Sequence, residues 1–194
     1  IENDANCFAI SEAFDGAGSK AHTVFGVILG TGVGAGIVIG KKIHKGKNKI
    51  AGEWGHNPLP WANEGELPGK KCYCGRTGCL ETFISGPAIE REFNNLHGKN
   101  LNMKNIVKES GAGNFKAEQT IRNFEDRLAR ALAHVINILD PDSIVLGGGL
   151  SNIDRLYSNV PKIWAEYIFS DDVSTVLSKA RFGDSSGVRG AAWL

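Results

Sequence analysis

Between Glu53 and Glu81 the chain gathers the side chains most able to do chemistry: Glu53 and His56 in GEWGH, then Cys72, Cys74 and Cys79 in CYCGRTGC. One imidazole and three thiols make a Cys3His donor set, the tetrahedral arrangement that suits zinc, and Gly75 and Gly78 let the backbone fold tightly around an ion. Disulfides or ordinary buried thiols are the competing readings. An odd number of cysteines in a short glycine-rich loop beside a histidine fits metal better. Four protein ligands leave no open coordination position, so this zinc is expected to be structural. A loop held by metal would present Glu53, His56 and Glu81 firmly enough to grip a small polar ligand. Cys7 stands apart and reads as a small buried hydrophobe.

Two glycine turns form the second constellation. LGTGVGAG places Gly30, Thr31, Gly32, Gly34 and Gly36 after a strand, where bare backbone N–H groups can face an anion such as phosphate. The segment lacks the Gly-Lys-Ser/Thr ending of a phosphate loop, and a hairpin follows where a dinucleotide fingerprint requires a helix. A plain glycine-rich hairpin therefore stands beside the phosphate reading. LGGGLS, with Gly148 and Gly149, repeats the theme at a strand-to-helix junction, where a helix N-terminus could meet a ligand. Together the two turns and the polar cluster suggest a nucleotide cleft. Asn3 and Asp4 precede a helix and could cap it. In a phosphoryl-transfer site such an Asp accepts the proton of the attacking hydroxyl, while Asn, Glu and His hold the other hydroxyls of a polyol. His22, His44, His97 and His134 have no comparable neighbours, and Trp54 and Trp61 could wall a site or pack the loop.

The elements that must position these groups follow an α/β pattern. A short helix is expected over 5–17, then an antiparallel meander of three runs through HTVFGVILGTGVGAGIVIGKKIHKG. Residues 53–79 form an irregular loop, too long for an ordinary connection unless tied down. Helices follow from Cys79 to Gly98, with Pro87 in a first turn and Gly98 as a stop, and over 103–110. Ile121, Phe124, Leu128, Leu132, Val135 and Leu139 recur at three- and four-residue steps and mark a long amphipathic helix over 116–139, ended by Asp140 and Pro141. SIVLGGG is a buried strand, Ser151 a candidate cap for the next helix, 173–182 a further strand, and a last helix starts near Ser185.

With 194 residues, 42% of them hydrophobic, and 25 glycines, the chain can bury one substantial core. A formal net charge of +1 without a basic stripe gives no support for nucleic acid or an anionic membrane as partner. The one basic run, KKIHKGKNK, reads as a solvated hairpin end. No apolar run reaches the ~20 residues of a membrane span, and cytoplasm is the expected location. The opening at Ile1, running directly into ENDAN, suggests that a lobe lies upstream.

NDAN, LGTGVGAG, GEWGHNPLPW, CYCGRTGCLETFISG, ILDPDSIVLGGGLS and GDSSGVRGAAWL, in that order, resemble the C-terminal lobe of a ROK-family sugar kinase over nearly the whole chain. GEWGHNPLPW joined to CLETFISG is especially similar to bacterial fructokinases of the mannofructokinase type. The resemblance implies an actin-like ATPase (ribonuclease H-like) fold whose two lobes close over ATP, magnesium and a hexose, with a homodimer as the common assembly. It implies residues 1–194 as that lobe and 53–81 as a zinc and sugar-binding loop. Asp4 matches the catalytic base, and Asn3, Glu53, His56 and Glu81 match the sugar-binding set. His56 also matches a zinc ligand with Cys72, Cys74 and Cys79. Gly30, Thr31, Gly32, Gly148 and Gly149 match the nucleotide-binding positions. Fructose is the expected hexose, ahead of mannose, glucose and N-acetylglucosamine; a sugar-responsive transcriptional regulator is the alternative. The family's Asp-x-Gly-Gly-Thr phosphate loop is absent from these residues, so the 194 residues alone are expected to be inactive.

Overall fold

The computed structural model of the chain describes residues 3–183 and 186–192. Helix α1 (Asp4–Phe14) is followed by strands β1 (Thr23–Leu29), β2 (Val33–Ile39) and β3 (Lys42–Ile43). Beyond the long loop come α2 (Glu81–Ile84), α3 (Gly86–His97), α4 (Met103–Gly111) and α5 (Phe115–Leu139), then β4 (Ser143–Gly147), α6 (Leu156–Trp164), β5 (Val176–Lys179) and α7 (Ser186–Ala191). The sheet order is β3-β2-β1-β4-β5. β1, β2 and β3 pair antiparallel, whereas β4 lies parallel to β1 and to β5. Each parallel pair needs a long crossover to return to the same end of the sheet.

Asparagines start three of the helices. Asn3, Asn102 and Asn114 each accept a backbone N–H from the first turn of α1, α4 and α5, satisfying donors that have no intrahelical partner. α5 ends where Asp140 turns left-handed at φ 47° and Pro141 forbids continuation. α3 has its proline in the first turn and stops at Gly98, φ 60°, as its residues dictate.

The two faces of the sheet bury different helices. On one, α5, α3 and α6 pack Leu128, Leu132, Phe93 and Leu156 against Val27, Leu29, Ile144 and Leu146. On the other, Phe8, Ala9, Ile10 and Ala13 of α1 meet Val24, Val38 and Val145. α1 can lie this close because Gly26 and Gly36, paired across β1 and β2, offer no side chain. A Cβ on Gly26 would stand 2.8 Å from Ala9 Cα, and one on Gly36 2.7 Å from the Ala5 carbonyl oxygen. The glycine-rich hairpin is thus partly a seat for α1, and seating α1 is what brings Asp4 to the β1–β2 turn.

Several boundaries differ from expectation. α1 ends at Phe14, and β5 occupies four residues of the expected 173–182. Ser151 does not cap a helix: its hydroxyl donates to the Gly148 carbonyl within a 3-10 turn over Gly149–Asn152, and α6 starts only at Leu156. Asp184, Ser185, Trp193 and Leu194 of the last motif lie outside the described residues, as do Ile1 and Glu2. Among the described residues, no helix is long and apolar enough to cross a membrane.

Candidate active site

Strands β1 and β4 run parallel, with Ile28 opposite Gly147, so both glycine turns emerge side by side at their carboxyl ends. That edge is where open α/β sheets receive ligands. The first turn is closed by the Gly30 N–H donating to the Gly32 carbonyl, and the Gly86 N–H at the start of α3 donates to the Gly30 carbonyl. Gly148 adopts φ 79°, and any Cβ there would collide with the Leu29 carbonyl oxygen; this glycine sets the path of the chain behind the site. Gly149 reaches it. A cavity of about 730 Å³ is lined by Gly30, Thr31, Glu90, Lys104, Gly149 and Asn152, among others, and falls in the size range of small-molecule sites.

A second cavity of about 410 Å³ holds Asp4, Gly30, Thr31, Gly32, Tyr73 and Glu81. Asp4 is exposed in the first turn of α1, with Oδ1 accepting the Ala5 N–H at 2.9 Å. Glu81 heads α2, and its Oε2 accepts the Val33 N–H at 2.9 Å, which locks the helix after the cysteine loop to the glycine turn. Gly30 and Thr31 line both cavities. A phosphate at their backbone would therefore sit between a ligand in the larger cavity and the carboxylates of the smaller one.

Glu53 and His56 are elsewhere. They line a separate recess of about 540 Å³ with Gly52, Trp54, Asn57 and Arg76. Asn3 uses its side-chain oxygen to cap α1, accepting the Asn6 N–H at 2.7 Å. Of the five residues expected around the sugar, the structure joins Asp4 and Glu81 in one cavity and Glu53 and His56 in another. The link between the two is Tyr73, whose hydroxyl stands 2.9 Å from His56 Nε2 with the rings edge to face. The Glu81 carboxylate, then burial, Cys72 and Glu53, hold the Tyr73 phenol above its ordinary value, as expected for a hydroxyl among anionic groups.

The donor set expected for zinc does converge. One ligand atom from each of His56, Cys72, Cys74 and Cys79 lies within 4.8 Å of all the others. Cys74 Sγ is 3.6 Å from Cys79 Sγ, and Cys72 Sγ is 3.5 Å from His56 Nδ1. The edge of a tetrahedron with bonds of about 2.3 Å is roughly 3.8 Å, and a sulfur–sulfur bond would need about 2.05 Å, so the spacing suits a tetrahedral ion and not a disulfide. Burial and the neighbouring sulfurs push the Cys79 thiol up to about 12, whereas the Arg76 backbone N–H draws Cys74 down. A divalent ion bound by these groups would favour the thiolate form of its sulfur ligands.

A second fastening of the loop escaped the sequence reading. Glu66, buried, accepts from the guanidinium groups of Arg127 and Arg130 on α5, and Arg130 also donates to the carbonyls of Pro60 and Trp61. Asn63 and Glu66 form a reciprocal capping box on the 3-10 turn between them. The Asn-x-x-Glu spacing was the available signal; the partner arginines, far along the chain, were not predictable from it.

A parallel-containing mixed sheet flanked by helices, with glycine turns at the carboxyl edge, is the actin-like ATPase arrangement. The chain belongs to the ROK family, whose model matches residues 1–194. It is 41% identical to an N-acetyl-D-glucosamine kinase of Vibrio vulnificus over 198 residues, covering 100% of this chain and 65% of that protein. The chain thus spans about 65% of the length of that relative. A ROK hexokinase from Thermus thermophilus superposes with a TM-score of 0.87 at 30% identity, over 98% of this chain and 62% of that one. A ROK family glucokinase from Streptomyces griseus, crystallised with glucose and AMPPNP, gives 0.85 at 28% over 99% and 66%. A transcriptional regulator of the family gives 0.84 at 26% over 99% and 50%.

Proposed function

We propose that this chain is the C-terminal lobe of an ATP-dependent hexose kinase. The observation that carries the reading is the position of Gly30 and Thr31, which line both the cavity of Asp4 and Glu81 and the larger cavity beside Gly149. ATP in the larger cavity would direct its terminal phosphate across the glycine turn toward a sugar hydroxyl near Asp4. Asp4 takes the proton of that hydroxyl as it attacks, and positioning by both lobes supplies most of the rate. Magnesium with the nucleotide would screen the phosphate charge. Zinc on His56, Cys72, Cys74 and Cys79 would hold the sugar-facing loop rigid, and its donor spacing supports that role.

An acetamido hexose is the favoured substrate, on the 41% identity to an N-acetyl-D-glucosamine kinase; fructose, the expectation from the GEWGHNPLPW and CLETFISG segments, comes second. A homodimer is the assembly proposed. The regulator reading keeps the same lobe, and the likeness to a ROK regulator favours it to that extent; Asp4 beside Glu81 and the glycine turn favours the kinase. A coupled ATP assay of the complete polypeptide across N-acetylglucosamine, fructose, glucose and mannose tests the proposal. ATP-dependent turnover is expected, highest with N-acetylglucosamine. Absence of turnover with every hexose overturns it.

A further inference from the structure

Tyr73 is exposed over 81% of its surface, yet its hydroxyl is engaged with His56 Nε2 at 2.9 Å. It also lines the cavity of Asp4 and Glu81, while Glu53 and His56 line the neighbouring recess. Resting on the kinase reading above, we propose that Tyr73 is a movable partition in the sugar site, standing between the two halves of the polyol-binding set and competing with the hexose for His56.

The competition follows from the ring's two nitrogens. Nδ1 faces Cys72 Sγ at 3.5 Å, on the side of the metal donor set, so Nε2 is the nitrogen left for a hydroxyl. A sugar and Tyr73 cannot both take it. Displacing the tyrosine costs little packing, because the side chain is exposed and free to change rotamer rapidly. The backbone around it is fixed by the Cys72 N–H donating to the Arg76 carbonyl and the Gly75 N–H donating to the Cys72 carbonyl, which confines the movement to the side chain. Swinging Tyr73 away would release His56 Nε2 to a hexose held in the cavity of Asp4 and Glu81. Tyr73 is therefore a positioning residue that sets sugar affinity.

Calorimetric titration of the complete polypeptide with N-acetylglucosamine, glucose and fructose tests this with two variants. Tyr73→Phe keeps the ring and removes the bond; the best-bound hexose should bind about 2- to 10-fold more tightly, the range of one ordinary hydrogen bond, with KM falling more than kcat changes. Glu53→Gln should weaken the same sugar. Unchanged or weaker binding by Tyr73→Phe, with Glu53→Gln still impaired, overturns the partition and leaves the kinase site standing. Unaltered binding by Glu53→Gln, or no hexose binding by the parent protein, removes the site itself and the partition with it. In a crystal of the sugar complex, Tyr73 should be off His56 Nε2; a retained bond overturns the proposal.

Discussion

Across 48 positions of sequence, the Glu81 carboxylate accepts the backbone N–H of Val33 at 2.9 Å. The same Oε2 would lie 2.9 Å from a Cβ placed on Gly32. The cysteine loop and the glycine turn, which carry the two halves of the proposed reaction, are thereby coupled through one side chain. Gly32→Ala should push that carboxylate aside. Because the clash is with the end of a side chain and not with backbone, the melting temperature should move by only a few degrees, whereas kcat/KM for the sugar should fall roughly tenfold or more, as small misplacements at a reacting centre do. Thermal melts and steady-state kinetics on the same preparation separate the two effects.

Gly36→Ala should behave in the opposite way. Its Cβ would meet the Ala5 carbonyl oxygen at 2.7 Å and Asn6 Cα at 3.0 Å, both on the backbone of α1, which has no freedom to yield. A loss of about 1–3 kcal/mol in unfolding free energy is expected, the cost of overpacking a filled interior. Denaturant unfolding measures it, and a neutral result would show that α1 is not seated on these glycines.

Asp4→Asn keeps the shape of the side chain and removes the base. Turnover should drop by about 10²–10⁴, the usual contribution of a positioned proton acceptor, while sugar binding stays measurable by calorimetry. The helix should survive, since Asn3 and not Asp4 accepts the Asn6 N–H, and loss of one charge from a first turn costs about 0.3–1 kcal/mol. Turnover within tenfold of the parent would remove Asp4 from the role of base.

What the sequence made legible was whatever rests on local chemistry. The long helix over Phe115–Leu139, its stop at Asp140 and Pro141, and the antiparallel meander follow from periodicity and turn residues, and all are present. The convergence of His56 with Cys72, Cys74 and Cys79 follows from residue type and spacing. Three things did not. Ser151 looked like a helix cap because it precedes an apolar period, but the turn back to Gly148 captured its hydroxyl first. The division of Asp4 and Glu81 from Glu53 and His56 between two cavities is a product of tertiary packing, and Tyr73, whose hydroxyl meets His56, has no sequence signature of its own. The ion lattice of Glu66 with Arg127 and Arg130 joins positions more than 60 residues apart, and charged residues on a helix read first as its solvated face.

Metal analysis should find one zinc per chain. Cys79→Ser, or treatment with a strong chelator, should loosen the loop around Glu81 and raise the sugar KM before it abolishes folding, since none of the four donors lies in the sheet or in α5. Limited proteolysis between 60 and 78 should become faster on removal of metal and slow again on adding zinc. Purified protein without zinc, and with unchanged proteolysis after chelation, would leave the four side chains as a cluster of thiols and an imidazole.

The Glu66 lattice gives a prediction with a definite pH window. Burial raises the carboxyl, but the hydrogen bonds from Arg130 and Arg127 outweigh it and lower the group from 4.5 to about 2. A carboxylate depressed in the folded state stabilises the fold above its unfolded value and loses that contribution as pH falls toward the folded one. The lattice should therefore be at full strength above about pH 5 and fade between there and about pH 2. Glu66→Gln leaves Arg130, with only 3% of its side chain exposed, with Asp126 as its remaining anionic partner, and the loss of the charge-assisted bonds to Glu66 should cost about 1.5–3 kcal/mol. The stability gap between parent and variant should be widest near neutrality and close progressively on acidification. A gap that persists unchanged to low pH would mean that the loop is held by the shape of Glu66 and not by its charge.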